Sequence, residues 1–473
     1  VMINNTIEYD EARFHERHDS VISAVRSFSV KLAGGINQGL STLVLLISGI
    51  YARSQAISAL EIEVNKGSLT SESALVEANK VIAEITASQA LLFRVGIVLI
   101  PVLALIASYI IIRKKYHIDE KEYEIHKDDE LKILNWVIPE MGKGSGGHLN
   151  IFRFVSFLEK MGFHSRIYLF KAPTLQDNES VREFLKENFP ILDERVEAYW
   201  DVKYAKFAHA TIATSWETAY FVKNFDNTVS KFYFVQDYEP FFFPHGSYYE
   251  LAKNTYKFGF RGITAGDWIK DKLIADFGMK ADSFGFSYDK DMYVPLKKKG
   301  TTKRVFFYAR PVTPRRDFEI GLFALDLLCK KMPEVEVVFA GWDISTFEIP
   351  FKHRDMGIMS VDKLSKVYSQ CDLCLIISNT NLSLLPLEVM ASNSVAVCSK
   401  GANSTWLVNE ENSVLVEYEP RNIAETMEYY LKNPEKLAEI RKKGLTFAQS
   451  TSWEKEAEKV RDALLKGIKE DER

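Results

Sequence analysis

Two long runs without a charged side chain constrain what the first quarter of this chain can fold into. One extends from Leu32 to Ala52 and the other from Val95 to Ile112. Each is close to the ~20 residues that a helix needs to cross a bilayer, where the backbone must satisfy its own hydrogen bonds. We therefore expect an α-helical hairpin that spans the membrane through residues 32–52 and 95–112. Core helices of a soluble domain are the alternative interpretation.

Basic residues flank this pair of runs on the outside. They stand before the first run and after the second: Arg13, Arg17, Arg26, Lys31, Arg113, Lys114 and Lys115. The segment between the runs, "SLTSESALVEANKVIAE", is acidic and polar. Positive charge favours the cytoplasmic side, so both ends of the hairpin should face the cytoplasm. The sequence thus predicts a protein of the cytoplasmic membrane whose remaining residues lie in the cytosol.

Length, charge and cysteine content limit the kinds of protein to which this chain can belong. At 473 residues the chain exceeds one usual core, and 60 basic against 64 acidic residues give no basic footprint for a nucleic acid. Four cysteines are too few for a disulfide scaffold. Cys371 and Cys374 form a C-x-x-C inside the apolar run "QCDLCLIIS". We expect them to be buried packing residues, with a metal or redox site as the alternative, and we predict no metal site.

From Leu131 onward the pattern alternates between short apolar strands and amphipathic helices. "LKILNWVIPEM", "LNIFRFVSFLEKMG" and "HSRIYLF" read as one βαβ unit, with further strands at "ATIATS", "KFYFVQDY", "RGITAG" and "ADSFGF". After the linker "YDKDMYVPLKKKGTTK" the pattern restarts at "RVFFYAR". The expected fold is α/β, with two doubly wound Rossmann-like domains facing a cleft. The expected boundaries are 1–125 for the hairpin, 126–297 and 298–473.

A glycine-rich turn, "GKGSGGH", separates the first strand from the first helix of this α/β part. Gly142, Gly144, Gly146 and Gly147 allow a ligand to approach main-chain N–H groups at the start of the helix. The spacing is not G-x-G-x-x-G, and "IYLFKAPTLQ" lacks the ribose-binding acid, so dinucleotide binding is disfavoured. A tight turn without a ligand is the alternative.

A stronger constellation lies in the last third of the chain. "YARPVTPRRDFE" places Arg310 at a strand end and Arg315 and Arg316 just before a helix. Strand ends and helix N-termini meet at one edge of such a sheet, where guanidinium groups bind phosphate oxygens. Farther along, "NLSLLPLEVMASNSVAV" places Glu388 early in a helix, where its carboxylate can accept ribose hydroxyls. The pattern predicts a diphosphate site, with solvated helix-face side chains as the alternative.

Four segments together resemble GT-B glycosyltransferases of family 4, and within them bacterial rhamnosyltransferases that build surface rhamnans. They are "GGHLNIFRFVSFLEKMG", "YFVQDYEPFFFPHGSYYELAKNTYKFGFRGITAGDW", "FFYARPVTPRRDFEIG" and "LPLEVMASNSVAV". The resemblance implies a retaining transferase with dTDP-L-rhamnose as donor, a rhamnosylated or lipid-linked glycan as acceptor, and neither cofactor nor metal. It also implies that the last helix, "SWEKEAEKVRDALLKGI", crosses back to the first domain.

The resemblance and the motifs assign candidate residues to three groups. The donor group is Arg310, Arg315, Arg316, Gly341, Leu384, Leu385, Pro386 and Glu388. The acceptor and glycine-turn group is Gly144, Gly146, Gly147, His148 and Gln236. The catalytic group is Asp237 and Glu239, carboxylates able to orient or deprotonate a hydroxyl. The aromatic residues Phe241, Phe242 and Phe243 offer a surface for a sugar ring, although a core role is the favoured interpretation.

Two departures from the family pattern concern these assignments. Family 4 usually carries two glutamates eight positions apart, and the partner of Glu388 falls at Thr380. A histidine that is common after a strand of the first domain is Gln236 here. Fewer protein acids and bases suffice if the leaving diphosphate itself assists attack by the acceptor hydroxyl.

The hairpin carries a resemblance of its own. "ERHDSVISAVRSFSVKLAGGINQGL" and "RKKYHIDEKEYEI", over roughly residues 10–125, look like the last two helices of glycoside-pentoside-hexuronide:cation symporters. The other helices of that family, which form its substrate site, have no counterpart, so the hairpin is expected to serve as an anchor or to reflect a gene-model artefact. The rivals to a rhamnosyltransferase are a membrane fragment with a nucleotide-sensing domain and a transferase with a UDP- or GDP-sugar donor.

Overall fold

The computed structural model describes residues 19–115 and 131–472. The chain divides into two compact units, Val1–Glu130 and Leu131–Arg473. The predicted flanking residues Arg13 and Arg17, and the segment 116–125 of the symporter-like exit sequence, lie outside the described residues.

Within residues 19–115 the chain is helical. The helices are α1 (Asp19–Ile47), α2 (Tyr51–Asn65), α3 (Ser71–Ala83) and α4 (Ala87–Lys115). In this described part, one stretch, Ala87–Ile110 of α4, is long and apolar enough to cross a membrane. Its side chains are exposed within the structure, and Leu105 is 70 % exposed.

The first apolar run does not form the straight span predicted for Leu32–Ala52. Helix α1 ends at Ile47, and the segments Lys31–Ile47 and Tyr51–Asn65 meet at an angle of 117°. Gly49 lies at the break with a positive φ of 72°, and its carbonyl accepts a hydrogen bond from Gln89. Glycine adopts a positive φ more readily than other residues, so the helix can end here, inside the apolar run Leu32–Ala52. The described residues contain a second membrane span only if Lys31–Ile47 and Tyr51–Asn65 together cross the membrane as one bent segment.

The first half of the second unit is a parallel sheet. Its seven strands in the described chain are β1 (Lys132–Pro139), β2 (Phe163–Phe170), β3 (Glu197–Tyr199), β4 (Ala208–Ala213), β5 (Thr228–Val235), β6 (Arg261–Ala265) and β7 (Ala281–Phe284), in the order β3-β2-β1-β4-β5-β6-β7. The connecting helices are α5 (Gly146–Lys160), α6 (Asn178–Asn188), α7 (Trp216–Lys223), α8 (Ser247–Thr255) and α9 (Asp267–Phe277). Most of β1 is buried, which accounts for its continuous apolar sequence.

The second half repeats the design. Its six strands among the described residues are β8 (Arg304–Tyr308), β9 (Glu336–Ala340), β10 (His353–Asp355), β11 (Leu373–Ile376), β12 (Val395–Ser399) and β13 (Val414–Val416), in the order β10-β9-β8-β11-β12-β13. Its helices are α10 (Phe318–Lys331), α11 (Val361–Tyr368), α12 (Leu385–Ala391), α13 (Ala402–Thr405), α14 (Pro420–Lys432), α15 (Pro434–Ser450) and α16 (Trp453–Asp471). The four cysteines are buried and form no disulfide, and the predicted burial of Cys371 and Cys374 is confirmed.

The last helix, α16, lies against the first sheet. Trp453 at its start packs edge-on against Phe154 of α5, with ring centroids 5.8 Å apart. Near its end, Asp471 accepts hydrogen bonds from Ser230 and from Arg261. At Gly467 the helix approaches so closely that an added Cβ would lie 2.4 Å from the ring of Phe232. A glycine is therefore required where α16 crosses β5.

This contact gives a test of the docking of α16. Gly467→Ala should lower the free energy of unfolding by about 1–3 kcal/mol because the added methyl overpacks the contact with Phe232. Chemical denaturation measures the change. Leu465→Ala is the matched control, since Leu465 lies on the exposed side of the same helix. Equal stability of the Gly467 variant and the parent would contradict the packing described here.

Candidate active site

A cleft of about 570 Å³ separates the two sheets of the second unit. Its walls follow the carboxyl ends of β1, β4 and β5 on one side and of β8 and β11 on the other. In each sheet the strand order reverses at this place, between β1 and β4 and between β8 and β11. Loops diverge at such switch points and leave a crevice for ligands. The topology thus places both halves of the candidate site on one cleft.

The glycine turn forms part of the first wall. Gly144, Gly146 and Gly147 line the cleft, and Gly144 has a positive φ of 69°. An added Cβ at Gly144 or Gly146 would meet nothing within 4 Å, so the main chain there faces open space. The Gln236 side chain donates to the carbonyl of Gly147 over 3.1 Å and accepts from Asn150 over 3.0 Å. Gln236 therefore fixes the turn against the end of β5.

Asp237 reaches across the cleft to the second domain. Its Oδ2 accepts a hydrogen bond from the Thr380 hydroxyl over 2.8 Å, and its Oδ1 accepts one from the Asn381 main-chain N–H over 2.9 Å. The Arg315 Nε lies 3.9 Å from Oδ2. Burial raises the pKa of Asp237, and the hydrogen bond from Asn381 and the neighbouring arginines oppose that rise. The predicted proton acceptor is thus already engaged by the other half of the site.

Asn381 strengthens the same connection. Its side-chain amide donates to the carbonyl oxygens of Gln236 over 3.0 Å and Ala265 over 2.9 Å, both in the first domain. Its Oδ1 accepts from the indole N–H of Trp406 over 2.7 Å. Every hydrogen-bonding atom of this amide is therefore used at the boundary between the two domains.

Glu239 is buried, and both of its carboxylate oxygens are occupied. Oε2 accepts from the main-chain N–H of Trp216 over 2.8 Å, and Oε1 accepts from the Tyr233 hydroxyl over 2.6 Å. Burial raises the pKa of Glu239 to about 7, although these two hydrogen bonds lower it. The predicted acid–base role stays a prediction, and the geometry favours a positioning role at the start of α7.

The three predicted phosphate-binding arginines all line the cleft, with different degrees of engagement. Arg316 donates to the Ser378 hydroxyl over 2.9 Å, and Arg315 lies 4.1 Å over the ring of Phe242. Arg310 makes one long hydrogen bond, 3.4 Å, to the carbonyl of Gly341. Arg310 and Arg315 thus keep most of their guanidinium donors available for an anion, and Arg310 is the one of the two that is not beside Asp237.

Glu388 also lines the cleft, as do Leu384 and Leu385 just before it. Burial raises the pKa of Glu388 to about 7, while Tyr293 and the positive charge of Arg153 lower it. Arg153 belongs to α5 of the first domain, is itself buried, and stacks 4.4 Å from the Trp453 ring. The positive charge of Arg153 in the first domain therefore favours the ionised form of Glu388 in the second.

Three predicted site residues do not line the cleft. Pro386 is buried in the first turn of α12. His148 is turned toward the Ser145 hydroxyl at 2.8 Å, and burial lowers its pKa. Gly341 has a φ of 108° and lies so close to the Tyr308 ring that an added Cβ would be 2.6 Å away. The carbonyl of Gly341 accepts a hydrogen bond from Arg310, so Gly341 contacts a residue of the cleft without lining the cleft itself.

Sequence reasoning missed Arg153, Tyr293 and Asn381. Asn381 and Tyr293 carry no motif, and their importance comes from partners far away in the sequence. Arg153 could have been noticed, because it stands within the apolar helix "LNIFRFVSFLEKMG", where a charged side chain needs a buried partner.

The favoured core role for the three phenylalanines is wrong for two of them. Phe241 is 42 % exposed and Phe242 is 36 % exposed, and Phe242 lines the cleft. Phe243 is half-buried. Residues 239–242 form a short 3-10 turn that directs these rings outward.

Known proteins resemble this chain in sequence and in structure. Residues 303–428 match the family model described as "WsaF, C-terminal domain". The O-antigen biosynthesis protein RfbC of Myxococcus xanthus is 28 % identical over 358 residues, which cover 71 % of this chain and 27 % of RfbC. The chain thus spans about a quarter of the length of this curated relative.

Solved structures share the two-domain architecture. Sucrose-phosphate synthase of Thermosynechococcus elongatus superposes with a TM-score of 0.55 at 13 % identity, over 71 % of this chain and 98 % of the other. Anabaena HepE in complex with UDP and glucose gives 0.55 at 14 % identity, over 71 % and 100 %. TarM gives 0.58 at 12 % identity, over 70 % and 98 %. The second unit therefore has the GT-B glycosyltransferase fold. Among the described residues no group of three or more His, Cys, Asp or Glu side chains is arranged to hold a metal ion.

The buried carboxyl of Glu239 predicts a pH dependence of stability. Its pKa of about 7 in the folded protein lies above the ordinary value of 4.5, so the folded state holds the proton to higher pH than the unfolded state. The contribution of Glu239 to stability is therefore complete below pH 4.5 and declines as pH rises to about 7. As pH rises over this range, the free energy of unfolding of the Glu239→Gln variant should increase relative to that of the parent, by at most about 3 kcal/mol.

Denaturation of parent and variant at several pH values between 5 and 8 measures the difference. The exposed Glu411→Gln variant is the control and should show no such rise, because Glu411 is solvated. A difference between the Glu239 variant and the parent that does not change with pH would show that this carboxyl is not perturbed by burial.

Proposed function

We propose that the chain is a glycosyltransferase that moves L-rhamnose from dTDP-L-rhamnose onto a growing surface glycan, with retention of anomeric configuration. The observation that carries the proposal is the cleft itself. It joins an open glycine turn on one domain to three arginines and Glu388 on the other. The name of the O-antigen biosynthesis relative and the GT-B fold support a transferase of surface polysaccharide synthesis.

The donor diphosphate is proposed to lie on the second domain. Arg310, Arg315 and Arg316 offer guanidinium groups for its oxygens, which are delocalised anions that suit bidentate contacts. Three positive charges also stabilise the negative charge that builds up on the diphosphate as it leaves. The Glu388 carboxylate would accept hydroxyls of the donor. The nucleotide sugar is a substrate, and no cofactor takes part.

The acceptor is proposed to approach from the first domain, across the glycine turn and Gln236. Asp237 is held by Thr380 and Asn381, so we assign it to positioning: it keeps the two walls at the distance that transfer requires. The leaving diphosphate then takes the proton of the attacking hydroxyl on the same face of the sugar. This assignment needs no additional protein base.

Two alternatives are separated by one assay. The structure of HepE contains UDP and glucose, which keeps a UDP-sugar donor in consideration for a chain of the same fold. A nucleotide sensor would bind the donor without turnover. The chain of residues 1–473 in detergent should release dTDP from dTDP-L-rhamnose when given a rhamnosylated acceptor. If only a UDP- or GDP-sugar releases its nucleotide, the donor is that nucleotide sugar and not dTDP-L-rhamnose. If the protein binds donors but releases no nucleotide from any dTDP-, UDP- or GDP-sugar tested, the proposed transferase activity is refuted.

Arg310 provides the sharpest test of the donor site. Arg310→Ala removes a charge-assisted contact of about 1.5–3 kcal/mol, so the affinity for dTDP should fall roughly tenfold to a hundredfold. Stability should change little, because Arg310 makes a single long hydrogen bond. Calorimetric titration measures the affinity. Arg354→Ala, on the exposed strand β10, is the control. Unchanged affinity in the Arg310 variant would remove this residue from the site.

We further propose that residues 19–115 anchor the enzyme in the cytoplasmic membrane with the α/β unit facing the cytoplasm. Helix α4 supports this, because a long apolar helix with exposed side chains is unfavourable in water. A chain that begins at Lys121 should move to the soluble fraction and keep transfer activity. Fractionation followed by the donor assay checks both. Equal membrane association of the shortened chain would contradict the anchor.

A further inference from the structure

A partly exposed aromatic cluster lies beside the cleft on the first domain. It consists of Trp216, Phe243 and Tyr248, whose rings contact one another, and we call it the aromatic platform. Trp216 lies 6.0 Å from Phe243 and 6.1 Å from Tyr248 between ring centroids, and Phe243 lies 5.6 Å from Tyr248. Tyr248 is 62 % exposed. Ser215 and Phe242, which directly precede Trp216 and Phe243 in the chain, line the cleft, so the platform lies beside the site.

The platform is held rigidly at its base. Trp216 is the first residue of α7, and its main-chain N–H is bound by the buried Glu239. Glu239 also begins the 3-10 turn that ends at Phe242. One buried carboxylate therefore sets both Trp216 and the turn that carries the neighbouring rings. This gives Glu239 a function in the site other than proton transfer.

The chemistry of the platform suits a carbohydrate. The apolar face of a pyranose packs against aromatic rings, and the tyrosine hydroxyl and indole N–H can meet the sugar hydroxyls at the edges. Rings of this kind bind with little loss of conformational entropy. An anionic membrane surface fits less well. The helices that carry the platform, α7 and α8, hold Glu217 and Glu250 against Lys223 and Lys253, so they offer no excess of positive charge.

We propose that the aromatic platform binds sugars of the acceptor chain beyond the one that receives the new residue. The inference rests on the proposed glycosyltransferase function and extends it. A polysaccharide acceptor that lies on the platform would present its terminal sugar at the cleft. The enzyme should therefore prefer long acceptors to short ones.

Acceptors with one and with four rhamnose units test this preference. In the parent, kcat/KM should be higher for the longer acceptor. In Tyr248→Ala and Trp216→Ala the ratio of the two kcat/KM values should fall by about tenfold, the loss of one aromatic contact in a binding site. Tyr204→Ala is the matched control, since Tyr204 is an exposed tyrosine that packs on Trp200 outside the platform. Parent-like ratios in both platform variants would overturn the proposal.

A second measurement separates this proposal from the proposed function. Binding of the free four-unit oligosaccharide to the full chain, followed by saturation-transfer NMR, needs no donor and no turnover. Binding that Tyr248→Ala weakens would support the platform even if every donor in the panel failed. Absence of binding in a protein that does transfer sugar would overturn the platform and leave the enzyme function intact.

Discussion

The hydrogen bonds of Asp237 to Thr380 and Asn381 are the contact on which the site depends. They join the end of β5 in the first sheet to the loop after β11 in the second, 143 and 144 residues away along the chain. The side-chain amide of Asn381 adds two hydrogen bonds to the first domain, to the carbonyls of Gln236 and Ala265. Since these groups are shielded from water, leaving one of them unpaired costs about 1–3 kcal/mol. The spacing of the glycine turn and the arginines thus follows from a polar contact at the bottom of the cleft.

The position of Asp237 also bears on the missing glutamate of the family 4 pattern, in whose place this chain has Thr380. The second domain lacks a carboxylate there, yet the structure places one beside the Thr380 hydroxyl from the opposite domain. The cleft further contains Glu239 and Glu388, whose pKa values are raised by burial to about 7. Perturbed carboxyls that cluster in a cleft are typical of functional sites, because folding alone would favour solvated ones. Here Glu239 holds the main-chain N–H of Trp216, whereas Glu388 lines the part of the cleft where the donor is proposed to bind.

The sequence predicted the α/β units well because parallel strands buried on both faces are continuous apolar runs. It also placed the arginines and Glu388 at strand and helix ends, which the topology brings to one edge. It could not predict the partner of Asp237, because that contact arises only when two domains meet. It missed the exposure of Phe241 and Phe242, since a run of aromatic residues looks the same in a core and on a surface. The bend near Gly49 was missed because glycine is also common in straight membrane helices.

A double-mutant cycle on Asp237 and Thr380 tests most directly whether this contact assembles the proposed transfer site. The single-turnover rate would be measured for the parent, Asp237→Asn, Thr380→Val and the double variant, on samples with equal folded fractions. We predict that each change slows transfer and that the second adds little to the first, with a coupling energy of roughly 0.5–3 kcal/mol. Fully additive effects, or a rate near that of the parent in Asp237→Asn, would contradict it.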